Sequence, residues 1–138
     1  MSFRPPKTLP ILSIFHNPRV GLSNQALALM QQKSRQEQSG KDIYKIDVID
    51  ADTLPTKDQI RQVARGYLKS SSWDKLIDKV NFPTLPNTIQ DAETLLTREP
   101  KALLRPLVVD WANGMAAVGI DDIKDIEALI KNRINNTK

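Results

Sequence analysis

Apolar residues repeat along this chain with two periods, and the switches between those periods mark its elements. Leu9, Ile11, Leu12, Ile14 and Phe15 cluster behind Pro5, Pro6 and Pro10 and predict a buried first strand from Leu9 to Phe15, ending at His16. A turn from His16 to Ser23 leads into Leu22, Ala26, Leu29 and Met30 at helical spacing, which predicts a helix reaching Ser39-Gly40. Ile43 to Ile49 then alternates, with Tyr44, Ile46 and Val48 on one face and Lys45 and Asp47 on the other. Strand, helix and strand in that order form a βαβ unit, so the two strands are expected to be parallel with a right-handed crossover.

The second half begins with helical signals. Thr56-Lys57-Asp58-Gln59 has the form of a capping box, and Ile60, Val63, Ala64, Tyr67 and Leu68 follow it at the spacing of one helix face. Ser70 to Ser72 interrupt the pattern; Trp73, Leu76, Ile77 and Val80 resume it as a shorter amphipathic helix before Pro83 and Pro86. Thr88 is placed to cap a helix carrying Ile89, Ala92, Leu95 and Leu96 up to Glu99-Pro100. Ala102 to Gly119 reads as a β-hairpin at the centre of a sheet. Pro106 stands at its entrance, Leu107 to Val109 form one strand, Asn113-Gly114 suits a tight turn, and Met115 to Val118 return. Asp121-Asp122 then start a last helix with Ile123, Ile126, Leu129, Ile130 and Ile134 inward and Lys131 and Arg133 near its end, as the helix dipole favours. The order is β-α-β-α-(helical insert, about 73–98)-β-β-α, a four-stranded mixed sheet with helices on both faces.

Composition narrows this picture. At 138 residues the chain suits a single domain, 1–138, which on folding buries roughly 68–70% of its extended surface. With 40% apolar and 26% charged residues and no apolar run near the ~18 residues of a membrane span, no membrane association is expected. The net charge of +4 is modest and its Lys and Arg are scattered among Asp and Glu, which disfavours nucleic acid as a partner. There is no cysteine, so disulfides, thiolate metal sites and thiol nucleophiles are excluded. No His/Asp cluster suggests a metal site. Residues 1–36 carry Arg4, Lys7, Arg19, Lys33 and Arg35 but no Asp or Glu, the bias of a mitochondrial targeting region. With a strand starting near Leu9 there is little to cleave, so such an address would be read uncleaved.

The element order, parallel first pair and antiparallel second pair, resembles the α/β thioredoxin-like fold, and two motifs sharpen the likeness. His16-Asn17-Pro18-Arg19-Val20-Gly21-Leu22-Ser23 is similar to the His-Asn-Pro-x-Cys-Gly-x-Ser loop of the arsenate reductase branch, and Arg105-Pro106 before Leu107-Val108-Val109 is similar to that branch's Arg followed by a cis-proline and a strand. Val109-Asp110-Trp111-Ala112-Asn113-Gly114, the early Ser2-Phe3 and Leu54-Pro55-Thr56 further resemble the fungal mitochondrial redox proteins of the "found in mitochondrial proteome" group. The resemblance implies a mitochondrial oxidoreductase acting on small toxic molecules, with Pro106 cis. It also implies a nucleophilic cysteine where Val20 stands, or, in the fungal group, near Ala92; neither position holds one. Of the arginines that hold arsenate in the reductases, only Arg105 has a counterpart.

Two functional classes stay open. One is an oxidoreductase by descent, its thiol activity lost or dependent on an external thiol such as glutathione; no other cofactor is implied. The other is a non-catalytic binding module in which His16, Asn17, Gly21, Ser23, Arg105 and Pro106 form a groove for a peptide, a glutathione-like thiol or a small anion. The amides of Gly21 to Ser23 at a helix start are suited to an anion. Val20 has nothing to ionise there, and Ser23 is a poor nucleophile without an adjacent base. His16 lies across the loop with no carboxylate to orient it and is expected to anchor the loop. Trp111 and Trp73 are expected to pack in the structure. A third class, a basic module of an RNA–protein assembly, needs a coherent positive face that the scattered charges do not predict.

Overall fold

The structure is a computed structural model and describes residues 9–35, 40, 42–68, 73–84 and 86–135. Its sheet has the order β2-β1-β3-β4, with β1 at Ile11–Phe15, β2 at Lys45–Ile49, β3 at Leu107–Asp110 and β4 at Met115–Val118. β1 pairs in parallel with β2 and antiparallel with β3, which pairs antiparallel with β4. The mixed sheet expected of the βαβ unit and the hairpin is therefore present, with one hairpin strand inside and the other at an edge.

Alternation along β1 and β3 splits the core between two faces. Leu12, Ile14 and Val108 face a cluster completed by Met30, Ala26 and Tyr44 and by Ile126, Leu129 and Ile130. All but Tyr44, which directly precedes β2, come from α1 (Gly21–Lys33) and α4 (Lys124–Asn135). Phe15, Leu107 and Val109 face a second cluster with Ile60, Val63, Leu68, Leu76, Ala92 and Leu96, from α2 (Lys57–Gln62), the segment after it and α3 (Ile89–Arg98). The layers are those of an α/β thioredoxin-like fold. The Tyr44 hydroxyl donates to the Met30 carbonyl at 2.5 Å and ties the start of β2 to α1.

Local chemistry explains where the elements depart from the sequence pattern. β1 and β2 are shorter than Leu9–Phe15 and Ile43–Ile49, and Val48 is exposed because β2 is an edge strand. α1 stops at Lys33, well before Ser39-Gly40, and Arg35 pairs across to Asp42; residues 36–39 lie outside the described residues. Thr56 does make the capping box, accepting from the Gln59 amide at 3.1 Å while Gln59 Oε1 accepts from the Thr56 amide at 3.0 Å. The last turn, Val63–Tyr67, widens to a π-helix. The interrupting Ser70 to Ser72 and the side chain of Trp73 lie outside the described residues.

Trp73–Leu76 forms only a 3₁₀ turn where a longer amphipathic helix is expected. Asp78 Oδ1 accepts from the amides of Val80 and Asn81 at 3.0 and 3.4 Å, and this competing turn ends the helix and leaves Val80 outside. Leu103 bridges to Ile77 instead. The hairpin turn is not the two-residue type: Asp110 pairs with Met115, so Trp111–Gly114 forms the loop, with Gly114 at positive φ (65°). Trp111 lies over the sheet, donating to Ser13 Oγ at 2.8 Å and meeting Tyr67 edge-on at 5.9 Å. α4 starts at Lys124, two residues beyond Asp122, whose Oδ1 accepts from the Lys124 amide.

Asp110 is buried at the end of β3 and accepts from Arg133 of α4 at 3.5 Å; Arg133 also donates to Asn113 Oδ1 at 3.4 Å. This buried pair fastens α4 to the hairpin. Asp110→Ala leaves the Arg133 charge without its carboxylate and is expected to cost about 3–5 kcal/mol, whereas Asp110→Asn retains an acceptor and costs less. Urea unfolding measures both; a change within about 0.5 kcal/mol for the alanine variant would mean the pair is not a structural tie.

Candidate functional site

The carboxyl ends of the two parallel strands point to one side of the sheet, the usual position of ligand crevices in open α/β sheets. β1 ends in the loop His16 to Val20, which opens α1, and its geometry is closed by its own hydrogen bonds. The Val20 amide donates to the Asn17 carbonyl at 3.0 Å, the Arg19 amide to Asn17 Oδ1 at 3.0 Å, and Asn24 Nδ2 to the Pro18 carbonyl at 2.9 Å. The His16 amide donates to the Ile49 carbonyl at 2.9 Å and holds the loop to β2.

His16 and Ser23, seven residues apart in sequence, meet: Nδ1 and Oγ are 2.6 Å apart. The base that Ser23 lacks in the sequence pattern is thus adjacent to it. Ser23 is nonetheless 0% exposed and its Oγ also accepts from the Asn17 amide at 3.0 Å, so no substrate atom reaches it. The pair is a buried strut that anchors the loop, as expected of His16.

Val20 is the N-cap residue of α1 and supplies no side-chain cap. The Ser23 and Asn24 amides bond back to the Val20 carbonyl. The amides of Gly21 and Leu22 have no hydrogen-bond partner among the described residues, so two donors rather than three face outward with the positive end of a thirteen-residue helix. Ala92, the other position at which the resemblance implies a cysteine, is fully buried on α3 beside Leu96 and lines none of the cavities described below. A thiol there would be apolar and inert.

Arg105, expected in the groove, is 6% exposed. Its Nη1 donates to the carbonyls of Pro100 and Leu103 at 2.6 and 3.1 Å, while Nε and Nη2 are buried with no hydrogen-bond partner among the described residues. Burial lowers the guanidinium's pKa, and the charge of Asp52 partly offsets that; the group stays a cation at neutral pH. Pro106 follows through a cis peptide bond and is covered by Gly119, where a Cβ would stand 2.9 Å from the proline Cγ.

Two cavities meet at this arginine. One, about 450 Å³, is lined by Asn17, Val20 and Leu22 from the loop and helix start and by Lys101 and Arg105 opposite. The other, about 560 Å³, is lined by Asn17, Lys101 and Arg105 again, with Asp50, Asp52 and Glu99. Asn17, Val20 and Arg105 are thus brought together, while His16 and Ser23 stay behind the wall as supports. Lys101 and the two acids after β2 were not singled out in the sequence; their signals are the Pro100-Lys101 step and the position at the carboxyl end of a parallel strand. Among the described residues no group of three or more His, Cys, Asp and Glu is placed to hold a metal ion, and no helix is long and apolar enough to cross a membrane. The arrangement can hold an anion; it has no group to carry electrons.

Similarity to known proteins agrees with this geometry. The family model described as "Protein of unknown function (DUF1687)" matches residues 3–119. Arsenate reductases of Neisseria meningitidis serogroups A and B are each 30% identical to the chain over 131 residues, which cover 88% of it and 100% of theirs. The structure of arsenate reductase from Vibrio cholerae matches with a TM-score of 0.66 at 20% identity over 87% of this chain and 98% of that one, a likeness of fold. The chain belongs to the DUF1687 family and, with it, to the arsenate reductase-like proteins of thioredoxin-like fold.

Proposed function

We propose that this protein binds an oxyanion or an anionic group of a larger ligand at Arg105 and does not reduce it. The observation that carries the reading is a buried guanidinium with two unpartnered nitrogens, set in a cavity shared with the uncapped start of α1. A buried cation without its counter-ion is costly, and an anion in the cavity would be held by the charge of the guanidinium together with the two free amides of the helix. The resemblance to the arsenate reductases implies a cysteine at the position of Val20; this chain has none there or elsewhere. Disulfide exchange needs a thiolate, so any reductive turnover would depend wholly on an external thiol such as glutathione. We read the acid-poor residues 1–36 as a mitochondrial address, a proposal tested by imaging the full chain in fungal cells.

Calorimetric titration with arsenate, phosphate and sulfate tests the seat. The wild type should bind, and Arg105→Met, which keeps side-chain length and removes the charge, should fold cooperatively and lose the binding. Equal affinity in the two proteins would refute the reading. A reductase assay run with and without glutathione is expected to show no turnover above the thiol's own background in either case.

Val20→Cys places a thiol at the N-cap, where the helix dipole and Arg105 both favour the thiolate. The rate of alkylation against pH should give a midpoint below the ordinary value of about 8.5. A midpoint at or above that value would mean the loop is not a vacated redox centre.

A further inference from the structure

The two cavities that meet at Arg105 share Asn17, Lys101 and Arg105, and so form one trough with different chemistry at its two ends. At one end stand three acids, Asp50, Asp52 and Glu99, with the single cation Arg19. The middle holds Lys101 and the guanidinium with its two unpartnered nitrogens. The far end is lined by Val80 and Ile120, 91% and 55% exposed, by half-buried Leu22 and Leu104, and by Asp78 and Asn81, where the Asp78 carboxylate is taken up by the Val80 and Asn81 amides and Asn81 Nδ2. Single exposed apolar side chains are ordinary, but two that line the same cavity beside a buried cation are a patterned surface. Val80 is held out by the Asp78 turn, which accepts its amide at 3.0 Å, so its exposure is built into the backbone.

A free oxyanion matches only the middle of this pattern. We infer that the trough takes a short extended peptide segment that presents a basic side chain to the three acids, a carboxylate to Arg105 and Lys101, and a branched apolar side chain to Val80 and Ile120. The inference rests on the anion seat described above and names the ligand class for it. Side chains on the same side of an extended peptide recur at every second residue, about 6.6 Å apart, so the matching segment has the form basic-x-acidic-x-apolar. Its charge order complements the trough, and charge order sets register and rejects segments of the same composition in another sequence.

The test is fluorescence anisotropy of a labelled, end-blocked peptide Lys-Gly-Asp-Gly-Leu, of its rearrangement Asp-Gly-Lys-Gly-Leu, and of inorganic phosphate as competitor. The wild type should bind the first peptide at least roughly tenfold more tightly than the second, and phosphate should displace it. Val80→Ser, at a position too exposed to affect folding, should weaken the first peptide roughly fivefold while leaving phosphate affinity unchanged. Equal binding of the two peptides, indifference to Val80→Ser, or no peptide binding while phosphate still binds through Arg105 would overturn the trough and leave the anion seat intact. Failure of phosphate and peptide alike to bind the wild type would overturn both.

Discussion

Arg105 is a cation only 6% exposed, and no carboxylate lies within ion-pair distance of it among the described residues. Desolvating a charge costs several kcal/mol, and the two carbonyls that accept from Nη1 offset only part of that. Contrast Arg133, buried to a similar degree but facing Asp110, a pair that serves to fasten a helix to the hairpin. The two buried arginines differ in one respect: Arg133 faces a carboxylate, and Arg105 has none within ion-pair distance among the described residues.

The surrounding structure holds that donor set in place. The segment before Arg105 is tied down twice, by the Leu104 amide to the Leu76 carbonyl at 2.7 Å and by the Asp78 amide to the Ala102 carbonyl at 2.8 Å. Across the cavity, the His16–Ser23 strut and the Asn17 turn fix the start of α1. Both walls are therefore set by hydrogen bonds independent of any ligand, which lowers the ordering cost of binding. A frame of this kind needs no thiol to keep its electrostatic field. The helix end and the guanidinium remain, and what they can still do is hold negative charge.

Much of the fold was legible because its signals are local. The capping box at Thr56, the cap at Thr88 and the alternation in β1 act over a few residues and survive in the structure. The Trp73 to Val80 periodicity misled because the Asp78 carboxylate offers the backbone a turn, a competition that a hydrophobic pattern does not register. The Asn113-Gly114 pair suggested a tight turn, but Asp110 pairs with Met115 and leaves Trp111 and Ala112 in the loop as well. At the site, the loop from His16 to Ser23 could be located from its motif, whereas the 2.6 Å contact between its ends depends on the angle at which strand meets helix. The burial of Arg105 was hidden because it is set by Pro100 and Leu103 folding back over it.

The central claim is that the buried guanidinium and the first amides of α1 act as one anion receptor. The most direct measurement is a nitrogen-15 NMR titration with arsenate at constant ionic strength, following the Arg105 Nε–H signal and the backbone amides of Gly21 and Leu22. The account predicts that all three shift together along one binding curve while signals of the α4 side of the sheet stay fixed. Movement of the amides without Arg105 Nε–H, or no saturable shift in any of the three, would contradict it.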